Sequence, residues 1–190
     1  MNPLIDRFPT KIKVDSEIIE INSDYRNCLR IILAFEDEDL TIQEKYEIML
    51  KRLYKIMPKN IEEAINQAIT FLDCGKKVQE NNIEQRVYSF KKDASFIFSS
   101  MSSTHNIDLN EIPYLHWWKF VYLFMDVRKD CTFSNIIYYR QKANAGKLDK
   151  SEKEVYRRSY KILSLNYDEE ENVSEEEDEF MKKFNSWGGE

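Results

Sequence analysis

Between Tyr114 and Met125 the chain reads YLHWWKFVYLFM, a helix-length run in which only His116 and Lys119 are clearly polar. An ordinary surface helix repeats its apolar residues at i, i+3, i+4 and i+7 and leaves a polar face opposite. Here Leu115, Trp118, Tyr122 and Met125 form one stripe, and Trp117, Phe120, Val121 and Phe124 fill the flank beside it. A helix so apolar on so many sides is either enclosed by the chain's own core or keeps a surplus face for a partner. Both settings favour large aromatics, so Trp117, Trp118, Phe120 and Phe124 stand as core residues and as candidate partner-binding residues together.

The elements around that run follow from local signals. KIKV (Lys11 to Val14) and IIEI (Ile18 to Ile21) are rich in β-branched residues and flank the turn-prone Asp15-Ser16-Glu17, which predicts an N-terminal hairpin. Two short strands are marginal alone and need helices to lie against. From Asp24 onward the period is helical. Asp24 suits an N-cap for a helix through Phe35, and Thr41 with Glu44 has capping-box spacing ahead of an inward face of Ile42, Tyr46, Met49, Leu50, Leu53 and Ile56. Pro58 is expected to stop that second helix. Asn60 with Glu63 caps a third, whose Ile61, Ala64, Ile65, Ala68, Ile69 and Leu72 lead to a terminating Gly75.

Residues 76 to 87 are polar and weakly periodic and read as a flexible connection within one domain. A fourth helix carries Phe90, Ala94, Ile97, Phe98 and Met101 and ends near His105. The run at Tyr114 makes the fifth. Thr132 opens a short helix through Tyr139, and Asp149 or Ser151 caps a last one bearing Val155, Tyr156, Tyr160, Ile162 and Leu163. The expected architecture is mainly α: a multi-helix bundle over residues 1–167 with a short N-terminal β-hairpin, followed by a disordered acidic tail over residues 168–190.

Charge divides the chain in the same place. The net charge is -6, yet residues 168 to 190 hold ten acids and two lysines, which leaves 26 basic and 24 acidic residues in the body. That near-neutral body lacks the basic excess expected of a nucleic-acid-binding protein. Like-charge repulsion disfavours compaction of the acidic run. Its apolar end is different, because Phe180, Phe184 and Trp187 recur at i, i+4 and i+7, a helix-in-groove spacing that makes them candidate partner-binding residues. A local basic face on the last helix, with Lys150, Lys153, Arg157, Arg158 and Lys161, suits a solvated surface or a place for the acidic tail to fold back.

Chemistry is scarce. His105 and His116 are the only imidazoles, and neither has metal-ligand spacing, so no metal site and no cofactor is expected. His116, beside two tryptophans, reads as a hydrogen-bonded structural group ahead of a catalyst. None of the four glycines belongs to a phosphate-binding loop, and the three cysteines are widely spaced, which suits reduced thiols. The tyrosines could stack bases, but stacking modules add a broad basic rim that this chain lacks. The opening MNPLIDRFPTKIKV has no signal-peptide core, and no apolar stretch is long enough to span a bilayer, so a soluble intracellular protein with no membrane partner is expected. Enzymes and nucleic-acid effectors fit poorly.

Several segments resemble one family taken together: YSFKKDASFIFSSM, then Ile107-Asp108-Leu109, then LHWWKF, then the Ile-Ile-Tyr-Tyr-Arg run at Ile136 to Arg140, with Asp24-Tyr25-Arg26 after the hairpin. The chain looks like the tail assembly chaperones of tailed bacteriophages of Gram-positive hosts, over most of residues 10 to 165. The resemblance implies a protein encoded near the tape-measure gene, without catalytic residues. It would bind the tape-measure protein and/or tail-tube subunits, as a homo-oligomer in the host cytoplasm, and be absent from the finished virion. A structural tail or connector component retained in the virion is the alternative. The long acidic tail departs from the family pattern.

Overall fold

The computed structural model describes residues 1–76 and 86–165. Most of the expected connection at 76 to 87 and the whole acidic tail over 168–190, with Phe180, Phe184 and Trp187, lie outside the described residues. Within them the chain is mainly helical, with one two-stranded antiparallel sheet at the N-terminus. Strand β1 (Lys11–Val14) pairs with β2 (Glu17–Glu20), placing Ile12 opposite Ile19. Asp15 at the turn adopts a positive φ of 51°, a conformation that Asp tolerates better than most residues. The hairpin buries Ile12, Val14 and Ile19, and α3 lies against β1.

The N-terminal half is completed by α1 (Tyr25–Glu36), α2 (Ile42–Leu53) and α3 (Ile61–Leu72), packed in sequence order. Their caps are those the sequence signals. Asp24 accepts the Arg26 N–H, Thr41 and Glu44 form a capping box, and Asn60 accepts the Glu63 N–H. The expected inward face of α2 is wrong at both ends. The helix stops at Leu53, before Pro58, because Tyr54 turns extended to bridge Ile21 and sends its hydroxyl to the Ala64 carbonyl, 2.8 Å away. Ile56, beyond that end, is 75% exposed, and Ile42 in the first turn is 49% exposed.

The C-terminal half holds α4 (Ala94–His105), α5 (Trp117–Met125), α6 (Thr132–Asn144), α7 (Lys150–Arg158) and α8 (Tyr160–Leu163). Here α6 runs five residues past the expected end at Tyr139. The expected last helix breaks at Ser159 into α7 and α8, and of the apolar residues along it Val155, Tyr160 and Ile162 are exposed while Leu163 is buried. Helix α5 touches α1 on one side and α4 on the other, so it joins the two halves.

One buried ion pair organises the C-terminal half. Asp93 and Arg140 are only 1% and 2% exposed, and their two bonds measure 2.6 and 2.9 Å. The remaining guanidinium donors reach the carbonyls of Val87 (3.1 Å), Ile162 (2.9 Å) and Leu163 (2.8 Å), so all five N–H groups are used. Asp93 also accepts the Ser89 N–H. Complete pairing is what lets two charges persist away from water, and removing one partner strands the other. Replacing Asp93 with Ala should therefore cost about 3–5 kcal/mol of unfolding free energy, measured by urea denaturation. A loss under about 1 kcal/mol would mean that the pair behaves as an exposed one.

Candidate functional site

The aromatic run is a helix whose first turn is built by its neighbours. Tyr114 to His116 are extended, not helical, because His116 forms an antiparallel bridge with Asp24. The Tyr25 N–H donates to the Leu115 carbonyl and the Trp117 N–H donates to the Ser23 carbonyl, both at 2.8 Å. These are the first amide groups of α1 and α5, which have no acceptor within their own helices. Each helix start thus supplies the acceptor that the other lacks.

His116 is the N-cap of α5, a role missed by a reading that began the helix at Tyr114. Its Nδ1 accepts the Trp118 N–H at 3.1 Å, which assigns the other ring hydrogen to Nε2, donating to the Pro9 carbonyl at 3.0 Å. Phe8 stacks on the ring at 5.0 Å and Phe71 meets it edge-on. Burial pushes the His116 pKa below its ordinary value, against the opposing effect of the Pro9 hydrogen bond. The neutral ring is the form that caps, since protonated Nδ1 has no lone pair to offer.

The paired tryptophans terminate another helix. Trp117 Nε1 donates to the Leu72 carbonyl (2.9 Å) and Trp118 Nε1 to the Phe71 carbonyl (2.7 Å). Those are the last two carbonyls of α3, beyond the reach of its own i to i+4 donors; the Phe71 carbonyl also accepts the Cys74 N–H at 3.0 Å. Gly75 makes room for this arrangement: its φ is +77°, and a Cβ there would sit 3.1 Å from Trp118 Cη2. Along the same helix Trp117, Phe120 and Phe124 form a ladder of nearly parallel rings. Tyr25 stacks on Phe120 from α1, while Tyr88, Phe90 and Phe133 close around Phe124. Trp117, Trp118, Phe120 and Phe124 are 3%, 6%, 1% and 8% exposed, so the structure places these four candidates inside the chain's own core. What α5 leaves outward is Lys119 and Met125.

The other resembling segments are also framework. Tyr25 and Arg26 both donate to the Leu109 carbonyl, and Arg26 reaches Ile112 as well, which pins the Ile107-Asp108-Leu109 link. Asp93 and Arg140 bring the Asp-Ala and Ile-Ile-Tyr-Tyr-Arg segments into one ion pair. His105 donates from Nε2 to the Leu123 carbonyl at 2.8 Å, near the C-terminal end of α5. The three cysteines are free thiols, and burial raises the pKa of Cys74 to about 11. No group of three or more potential metal ligands occurs among the described residues, and no helix among them is long and apolar enough to cross a membrane. A cavity of about 340 Å³ beside the hairpin is lined by Thr10, Glu20, Ile21, Asn22, Ser23, Lys55 and Tyr114. It is open and largely polar, with no imidazole or thiol to act on a ligand.

Apolar surface remains elsewhere. Around the hairpin tip and the link between α2 and α3, Ile18, Ile56, Met57 and Ile61 are exposed. Ion pairing of Lys59 with Glu17 and the bond from Asn60 to Asp15 hold these segments together. At the opposite end of the sequence, Val155, Tyr160 and Ile162 are exposed among the bases of α7 and α8.

Two measurements test the roles given to α5. Trp117→Ala should lower stability by about 3–5 kcal/mol, the usual cost of emptying a buried aromatic position. Trp117→Phe, which keeps most of the ring and drops the N–H, should cost about 1–3 kcal/mol. For His116 the sign follows from its lowered folded-state pKa. The unfolded chain takes up a proton near pH 6.5 that the folded chain resists, so this stabilisation is present above that pH and lost as the pH falls below it. The thermal midpoint should drop more steeply between about pH 7 and 5 in the wild type than in His116→Asn, whose side chain can cap without titrating. Parallel curves would remove His116 from the linkage.

Comparison with known proteins gives one family. A family model described as "Bacteriophage Gp15 protein" matches residues 4–165, and the chain belongs to that family of bacteriophage proteins. No curated protein and no solved structure matches it.

Proposed function

We propose that this bacteriophage protein is a non-enzymatic tail assembly chaperone, which binds the tape-measure protein and/or tail-tube subunits during tail morphogenesis. The observation that carries the reading is the family match over residues 4–165, joined to the resemblance of the Leu115 to Phe120 helix and its companion segments to phage chaperones. Support also comes from how the described residues are spent. Both histidines, the buried ion pair and the twin indoles are engaged in holding the chain together. What faces outward is charge interspersed with apolar residues, among them Ile18, Ile56, Met57 and Ile61 around the hairpin tip.

On this reading the four buried aromatics of α5 act on the partner only through the fold they stabilise. Direct contact falls to exposed apolar residues such as Ile18, Ile56 and Met57, and to Phe180, Phe184 and Trp187 beyond the described residues. The protein works in the host cytoplasm as a homo-oligomer and leaves before the virion is complete.

Co-expression with the tape-measure protein encoded in the same phage should raise its soluble fraction and recover both proteins in one complex. No co-purification together with no gain in solubility refutes the chaperone reading. Mass spectrometry of purified virions should find no peptides of this chain. Stoichiometric peptides there would instead make it a structural tail or connector subunit.

A further inference from the structure

Helix α7 contributes no fully buried residue to the fold. Along it Lys150, Lys153 and Arg157 recur at i, i+3 and i+7, all exposed. None of the three makes an ion pair among the described residues, although neighbouring cations do: Lys142 pairs with Glu152, and Arg158 with Glu154. Lys153 and Arg157 are like charges one turn apart, a spacing that destabilises a helix unless an anion lies between them.

The described chain ends at Leu165, two residues after α8, which packs against α7. Arg140 holds the carbonyls of Ile162 and Leu163, which fixes where the following residues begin. Three positions after Leu165 the acidic segment starts, and residues 168 to 179 contain nine acids and no base. Reach is no obstacle. Helix α7 has nine residues and spans about 14 Å, while ten extended residues cover about 33 Å.

We propose that the acidic segment 168–179 docks on the Lys150, Lys153 and Arg157 face of α7 within the same chain. Exposed ion pairs are weak one at a time, so the occupant is selected by its tether. A segment joined to the helix by a few residues is present at an effective concentration on the order of millimolar, which a second copy or an outside polyanion must exceed. Docked there, it satisfies the stripe's charge and denies that face to other polyanions. The inference stands apart from the chaperone reading, since it concerns the chain alone.

Carbodiimide coupling of the full chain, which joins a carboxylate to a lysine only where the two meet, tests this in an equal mixture of isotope-labelled and unlabelled protein. Cross-links from residues 168–179 should fall on Lys150 and Lys153 within single chains, at about tenfold the yield at Lys11 and Lys13 of the hairpin. Yield should fall about tenfold when the salt is raised to about 1 M. Arg157→Glu leaves both lysines reactive and should lower their yield severalfold. Equal yields at the hairpin lysines, products mainly joining labelled to unlabelled chains, or a yield unmoved by Arg157→Glu would each overturn the proposal.

Discussion

A helix that ends inside a protein leaves carbonyls with no intrahelical donor, and a helix that begins there leaves amides with no acceptor. The fold meets both demands at one place. Trp117 and Trp118 deliver two indole donors to the last carbonyls of α3, while Ser23 and Leu115 exchange acceptors with the first amides of α5 and α1. Three helix ends that water cannot serve are therefore completed by one four-residue stretch and its bridge to Asp24. The aromatic ladder below can pack without stranding polar groups because its upper rung is already hydrogen-bonded.

This arrangement explains why two tryptophans stand side by side in a helix where a spacing of three or four would have put both on one packing face. Adjacent positions point about 100° apart, so neither ring copies the other's contact. Each reaches a different carbonyl of the same helix end, and Gly75 supplies the clearance for the second. The residues that carry the family resemblance are thus explained by folding. Asp24-Tyr25-Arg26 pins the Ile107-Asp108-Leu109 link, and Asp93 meets Arg140.

Much of the fold was legible in the sequence because its signals are local. Caps at Asp24, Thr41 and Asn60, the hairpin and the stop near Gly75 depend on residues within one turn of each other. The misses share a tertiary cause. Tyr54 ends α2 because Ile21 bridges it from the hairpin, and His116 is extended because Asp24 holds it from far along the chain. No spacing rule reports such partners. The candidate site was legible only as an ambiguity: composition marked Trp117, Trp118, Phe120 and Phe124 as large aromatics in need of burial, and the neighbouring elements decided that this chain buries them itself. Arg140 stood out only as the end of the resembling Ile-Ile-Tyr-Tyr-Arg run, and its buried pairing was not legible because a lone arginine in a helix normally reads as solvated.

Helix α8 has only four residues, far too few to persist alone. Its last carbonyls rest on Arg140, whose guanidinium also grips Val87 and Asp93. Fraying from that end would expose a charge that the interior cannot leave unpaired. The chain from Val87 to Leu163 should consequently open as one cooperative unit, with the slow amide exchange of its core extending into the final turn. A partner that pulls on the residues beyond Leu165 would draw against that whole unit.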